Sequence, residues 1–140
     1  TSKSKTGRNV KRWILPDGRD KVLYSATHIN HPSAVWVRQS TQHYEWLWLL
    51  LYFLNDEYTY RYGKTHKVRS SGLLVELNDS PDKLKDSGFI TPPLAMPDQY
   101  KMNDPVESYR NYYIHGKSHL ANWSGSVNCR NVPEWYKEMI

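Results

Sequence analysis

The longest regular pattern of apolar positions lies between Thr41 and Tyr62. Its apolar residues recur at intervals of three and four, the spacing of one face of an α-helix; they include Trp46, Leu47, Leu50, Phe53, Leu54 and Tyr58. Trp48, Leu49 and Leu51 add apolar surface on other sides. A helix apolar on all sides is expected at the centre of its domain. With Ser40 or Thr41 as N-cap and Gly63 as C-terminal stop, the pattern predicts a central helix over about 41–62.

Weaker helical signals flank this central segment. Ser33 can cap a short helix containing Ala34 to Val37. A second helix is predicted over 65–77; Gly72 weakens it, and its inward-facing residues are Leu73, Leu74 and Leu77.

A further helix begins with Asp104 as N-cap and Pro105 at the first helical position. This helix is expected to run to about Asn122. One or two closing turns are predicted between Glu134 and Met139.

The remaining segments carry turn and loop signals. Two short apolar runs, 13–15 and 21–24, flank a Pro-Asp-Gly turn and predict a β-hairpin. Residues 78–103, rich in proline, read as a long ordered loop with one helical turn at 81–86, and loops of this length are often functional. Residues 1–11 read as a disordered basic arm. The predicted fold class is therefore mainly α: a compact helical domain over 12–140 around one long aromatic-rich helix, with room for a small β-hairpin near the N-terminus.

Composition narrows the class of protein. The 140 residues carry 19 Lys and Arg against 14 Asp and Glu, a net charge of +5, and 14% of them are aromatic. Such an aromatic content argues against general disorder, and the lone Cys129 excludes a disulfide-stapled fold. The longest apolar run, 46–54, is nine residues long, whereas a bilayer span needs about 20. No signal peptide is visible, so the expected compartment is the cytosol and no membrane partner is expected.

The first candidate for chemistry is the segment from Glu57 to His66. Glu57 and Arg61 are four residues apart and share one helix face. A carboxylate and an arginine surrounded by tyrosines could stabilise a developing cation or orient a phosphate, so Glu57, Arg61 and His66 are the candidate catalytic residues. The alternative is an ordinary surface ion pair contributing about 0.3–0.5 kcal/mol.

The second candidate is a set of basic residues interleaved with aromatic ones. Bases stack on exposed rings while Lys and Arg contact phosphates. The candidate nucleic-acid or phosphate-binding residues are His31, Arg38, Lys64, Lys101, Arg110, Tyr113 and Lys117. In the alternative interpretation, many of these rings form the core of a small helical domain.

The histidines suggest a third possibility. His115 and His119 are four apart on the predicted helix and could chelate a transition metal, and His28, His31 and His66 are further candidates. No cysteine cluster accompanies them, so solvent-facing or hydrogen-bonded histidines are the competing interpretation. The sequence assigns no metal ligand and no cofactor. It also contains no phosphate-binding glycine loop, dinucleotide fingerprint or nucleophile elbow.

Several motifs resemble an uncharacterised family of tailed-bacteriophage proteins, including proteins of marine cyanophages. The resemblance covers roughly residues 27–137; its motifs are His28-Ile-Asn-His-Pro32, Trp36-Val-Arg-Gln-Ser40, Glu57-Tyr-Thr-Tyr-Arg-Tyr-Gly-Lys-Thr-His66, Ala95-Met-Pro-Asp-Gln-Tyr-Lys101 and Tyr109-Arg-Asn-Tyr-Tyr113. Members of that family usually begin with a further helix bearing a Cys-Asp-Lys-His motif, which is missing here. The chain is thus expected to be the carboxyl-terminal part of a longer product. The resemblance implies phage origin and the cytoplasm of an infected bacterium, but no established reaction.

These observations lead to one principal hypothesis and two alternatives. The principal one is a phage protein of DNA or nucleotide metabolism that binds nucleic acid or a nucleotide through Tyr, Trp, Lys and Arg. Its concrete catalytic form is glycosylase-like base processing, in which Glu57 steadies a cationic sugar while Arg61 and Lys64 hold phosphate. The first alternative is a non-catalytic phage protein that binds a host protein or nucleic acid, and the second is a histidine-based metal protein.

Overall fold

The computed structural model describes residues 2–3, 5–10 and 14–140. In these ranges the α-helices are α1 (Pro32–Val37), α2 (Thr41–Tyr62), α3 (Lys67–Ser70), α4 (Leu73–Glu76), α5 (Pro105–Gly116) and α6 (Glu134–Lys137). Turns of 3-10 helix lie at Arg19–Lys21, Asp98–Tyr100 and Ser118–Leu120. The mainly helical class predicted from the sequence is confirmed.

The central helix α2 begins and ends where its local signals predict. Ser40 is extended, and its Oγ accepts a hydrogen bond from the Gln42 backbone N–H at 3.3 Å. Gly63 closes the helix in the left-handed region, at a φ of 64°, and its N–H donates to the Thr59 carbonyl at 2.8 Å. Both ends follow the standard capping chemistry of helices.

The predicted helix over 65–77 is instead two single turns, α3 and α4. Gly72 separates them with a φ of 83°, a conformation that interrupts a right-handed helix and that glycine adopts without strain. The inward orientation of Leu73 and Leu74 is confirmed, because both are buried, whereas Leu77 is half-buried.

The short helix α1 begins earlier than predicted and has a different cap. Pro32 is its first residue, and the Nδ1 atom of His31 accepts a hydrogen bond from the Ser33 N–H at 3.1 Å. His31 therefore caps α1 in place of Ser33. The fixed φ of proline suits the first helical position, and the helix starts two residues earlier than predicted.

The helix α5 starts as predicted but ends at Gly116, well before Asn122. The Asp104 carboxylate accepts from the Glu107 N–H at 3.0 Å. At the other end, Lys117 leaves the helical region with a φ of −131°, and a 3-10 turn follows. Glycine is a weak helix former, so the chain leaves the helix at Gly116.

The hairpin predicted around the Pro16-Asp17-Gly18 turn does not form. Residues 19–21 make a 3-10 turn, and the Asp20 carboxylate accepts from the Leu15 N–H at 3.0 Å, occupying a donor that a strand would need. Trp13, in the first predicted strand, lies outside the described residues. An antiparallel pair instead joins β1 (Ser2–Lys3) to β2 (Asn9–Val10), inside the predicted disordered arm. Gly7, with a φ of 77°, lies in the turn between them.

Two stacked rings, one on α1 and one on α2, help to anchor the loop 78–103. Trp36 and His43 stack with centroids 4.1 Å apart. The Trp36 indole N–H donates to the Ile90 carbonyl at 3.1 Å, and the Ile90 N–H donates to His43 Nε2 at 3.0 Å. The helical turn predicted at 81–86 is only a tight turn, closed by one bond from the Leu84 N–H to the Pro81 carbonyl.

The prediction that α2 is buried at the centre of the domain is wrong for one of its faces. Its buried residues are the polar His43 and Asn55, while Phe53 is 61% and Leu54 is 56% exposed. The helices α1 and α4 and the 78–103 loop pack against other parts of α2. Its apolar surface at Phe53 and Leu54 faces solvent.

Candidate polyanion-binding site

Glu57 holds two arginines at the carboxyl-terminal end of α2. Its Oε1 accepts from Arg61 Nε at 2.7 Å and from Arg130 Nε at 3.1 Å, and its Oε2 accepts from Arg130 Nη2 at 2.9 Å. Arg61 lies four residues after Glu57 on the same helix face, as the sequence predicted. Arg130 arrives from a loop 73 residues further along the chain. Both oxygens of the carboxylate are thus occupied by guanidinium groups.

The loop that carries Arg130 is fastened to the last turn of α2. Asn128 donates its side-chain N–H to the Tyr60 carbonyl at 2.8 Å and its backbone N–H to the Arg61 carbonyl at 3.1 Å. These carbonyls belong to the last turn, which lacks partners within the helix. The Arg130 guanidinium then lies over the Tyr60 ring, 3.8 Å from the centroid. We call Glu57, Tyr60, Arg61, Asn128 and Arg130 the guanidinium cluster.

The guanidinium cluster has a surplus of positive charge and is open to solvent. One carboxylate faces two guanidiniums, and the side chains of Glu57, Arg61 and Arg130 are 32%, 26% and 45% exposed. Hydrogen bonds from Arg130 and then Arg61 lower the pKa of Glu57 to about 2, and the same contact raises the pKa of Arg130. Because arginine has five N–H donors, donors remain on both guanidiniums that no described contact uses.

Of the predicted catalytic residues, the structure brings Glu57 and Arg61 together, and His66 has a structural role beside them. The Nδ1 of His66 accepts from the Val68 N–H at 3.2 Å and caps α3, and its ring packs edge-on against Tyr58 with centroids 4.8 Å apart. No described contact joins His66 to Glu57 or Arg61. Lys64 is exposed and forms no ion pair among the described residues.

The other predicted binding residues fall into two regions, and none of them belongs to the guanidinium cluster. His31 caps α1, and Arg38 donates to the Ile29 carbonyl at 2.7 Å near the start of α2. Since α2 has 22 residues, these lie about 30 Å from its far end. One small ligand cannot contact both ends.

The second region is on and around α5. Lys101 pairs with Asp98 at 2.7 Å, Arg110 lies over the Trp135 ring at 5.3 Å, and Lys117 lies over Tyr112 at 5.5 Å. Tyr113 is half-buried among Trp123, Trp135 and Tyr136. Its ring is packed against these side chains, which matches the alternative interpretation of these aromatics as core.

The histidine pair predicted as a metal chelate is not on one helix, because α5 ends between His115 and His119. Within the described ranges, no three His, Cys, Asp or Glu side chains are grouped closely enough to hold a metal ion.

Sequence reasoning overlooked His43 and the loop residues of the cluster. His43 is buried, and its two ring nitrogens contact the Trp36 carbonyl and the Ile90 N–H. Its place inside an apolar helix pattern was the available signal, since a buried histidine needs hydrogen-bond partners. For Asn128 and Arg130 the sequence offers no comparable signal.

Comparison with protein-family models, with curated proteins and with solved structures gives no match to this chain. In the part of the chain that the structure describes, no helix has both the length and the apolar character needed to cross a membrane.

Proposed function

We propose that this chain binds nucleic acid or a nucleotide through the guanidinium cluster. The observation that carries the proposal is the pair of partly exposed guanidiniums held by one carboxylate, one of which lies over the Tyr60 ring. Arginine forks match the geometry of phosphate oxygens, and a net positive, partly exposed pair attracts a polyanion. Tyr60 and Tyr62 are 43% and 47% exposed, which leaves ring surface for a base to stack on.

The geometry favours a positioning role for Glu57 in this proposal. Its negative charge is shared between two arginines, so it orients them and keeps them from turning away into solvent. In the glycosylase-like form of the hypothesis, the same carboxylate would have to stabilise a cationic sugar. That form stays a proposal, together with the phage setting and the host cytoplasm that the resemblance implies.

The test is binding of a fluorescein-labelled 20-nucleotide single-stranded DNA, measured by anisotropy at several KCl concentrations. Replacing Arg130 with Gln should weaken binding. It should also make the plot of log K against log salt less steep, by the amount that about one phosphate contact contributes. Arg130→Lys should be intermediate, because it keeps the charge but loses the fork and the ring contact.

The matched control is Arg19→Gln. Arg19 is also an exposed arginine in an ion pair, with Asp17 at 2.6 Å, but it lies outside the cluster. Equal losses for the two variants would contradict a specific role for the cluster, as would binding that does not respond to salt.

Catalysis is tested separately on damaged and undamaged duplex DNA. If a base is released, Glu57→Gln distinguishes a chemical role from a positioning role: loss of product with retained binding supports base processing. Binding without any product supports the non-catalytic alternative.

A non-catalytic protein that binds another protein is a second candidate function, and the observation that favours it is the apolar face of α2 that is exposed to solvent.

A further inference from the structure

One face of α2 is apolar and lies open to solvent along the middle of the helix. Trp46, Leu49, Leu50, Phe53 and Leu54 recur at intervals of three and four, and their exposed fractions range from 42% to 61%. We call these five residues the open face of α2. Side chains of this size expose roughly 500 Å² in such a state, and apolar patches of that extent are often functional.

A groove of about 690 Å³ runs beside the open face and shares Leu50 and Leu54 with it. The rest of its wall comes from the end of α1, from α2 and from residues 77–84, including Leu47, Leu51, Leu77, Pro81 and Leu84. On α2 the lining extends from Tyr44 to Leu54, which corresponds to about 15 Å of helix. This length accommodates about three turns of a second helix lying alongside.

The spacing of the apolar residues indicates which kind of surface would cover them. Intervals of three and four form ridges that interlock with the same pattern on another helix. Recognition of an amphipathic helix in an apolar groove uses anchors at these intervals. An apolar helix face is therefore the complementary surface for the open face.

The charged residues of the groove indicate the net charge of the helix that it would bind. The charged residues that line the groove are Arg38 and Lys83, and neither has a carboxylate partner among the described residues. A helix that places carboxylates near these two cations would be attracted to the groove, whereas one that places lysines there would be repelled.

We propose that the open face and its groove dock an acidic amphipathic helix of a partner protein. Leucine-like side chains of that helix fill the groove, and its carboxylates pair with Arg38 and Lys83. This site is separate from the guanidinium cluster and does not depend on nucleic-acid binding.

The experiment uses the full chain and a labelled 18-residue peptide with leucines at intervals of three and four and glutamates at both ends. One control peptide carries lysines at its ends, and another has the same composition with scrambled leucine positions. Binding is followed by the anisotropy of the labelled peptide. We expect the acidic peptide to bind at least about tenfold more tightly than either control.

Two pairs of variants locate the contact. Leu50→Gln should weaken binding of the acidic peptide by about tenfold, while Val127→Gln, at a residue 76% exposed outside the groove, should not. Lys83→Glu should weaken the acidic peptide and strengthen the lysine peptide, with Lys21→Glu as the charge-matched control. Lys83 lies on an exposed loop, so this pair remains informative even if Leu50→Gln disturbs folding.

Equal binding of the acidic and lysine peptides, or of the ordered and scrambled ones, would overturn the proposal. A concentration-dependent dimer in sedimentation equilibrium that Leu50→Gln abolishes would overturn it too, by showing that a second copy covers the face. Arg130→Gln should leave peptide binding unchanged, so failure here is distinguishable from failure of the nucleic-acid proposal.

Discussion

The two ends of α2 each fasten a distant loop, but they use different chemistry. At the beginning of the helix, Ser40 and His43 hold the backbone of Ser87 and Ile90, 47 residues away, through buried neutral hydrogen bonds. At its end, Glu57 holds Arg130, 73 residues away, through ion pairs that remain accessible to water.

The difference separates a structural anchor from a candidate site. A buried donor or acceptor that loses its partner costs roughly 1–3 kcal/mol, so the first end should be essential to the fold. Exposed ion pairs contribute little to stability and are screened by salt. Their value at the second end lies in holding charged groups in place while leaving N–H donors free for a ligand.

The largest effect is expected for His43→Phe. Phenylalanine keeps a ring against Trp36 but removes both nitrogen contacts. The Ile90 N–H is left unpaired, while the Trp36 carbonyl keeps its bond from the Gln39 N–H at 3.1 Å. We expect the free energy of unfolding, measured in urea, to fall by about 2–3 kcal/mol. His115→Phe, on the exposed side of α5, is the control and should change it by less than about 0.5 kcal/mol. A small effect at His43 would mean that the first end is not an anchor.

A moderate effect is expected for Ser40→Ala. The Oγ of Ser40 accepts from the N–H groups of Gln42 and Ser87, at 3.3 and 3.1 Å, so the substitution removes the cap of α2 and a loop contact together. The expected loss is about 1–2 kcal/mol in the same assay. Ser33→Ala is the matched control, because His31 caps α1, and it should cost less than about 0.5 kcal/mol. If Ser33 proved the more costly position, the capping of α1 described here would be wrong.

The smallest effect on stability is expected for Glu57→Gln, and it should depend on pH. Because the pKa of Glu57 is about 2 in the folded protein and 4.5 ordinarily, its contribution is present above pH 4.5 and is lost as the pH falls towards 2. The variant should therefore lose less stability than the wild type over this interval. Urea midpoints measured from pH 5 to pH 2 test this, with Glu138→Gln as control. If the urea midpoints of the wild type and Glu57→Gln fell in parallel with pH, protonation of Glu57 would not contribute to stability.

Much of the helical framework could be predicted, but its packing could not. The bounds of α2 and the start of α5 follow from Ser40, Gly63, Asp104 and Pro105, residues whose capping acts within a few positions of the chain. The hairpin prediction was wrong because the turn sequence does not indicate that the Asp20 carboxylate accepts a hydrogen bond from the Leu15 N–H. The prediction of a buried central helix failed because apolar character on all sides does not tell which faces the rest of the chain covers.

The residues of the candidate site likewise divide into those that could be predicted from the sequence and those that could not. Glu57 and Arg61 were paired correctly because a separation of four is short enough for the helix to fix it. Arg130 and Asn128 could not be predicted, since no local pattern specifies which loop returns to the end of a helix.

The sequence by itself determined the net positive charge, the bounds of α2, the start of α5 and the Glu57–Arg61 pair. The last three depend on interactions between residues a few positions apart along the chain. The tertiary structure alone decided that Arg130 completes the guanidinium cluster, that His43 anchors the long loop and that one face of α2 stays open. These three results depend on which distant segments meet, and that is settled by packing of the whole chain.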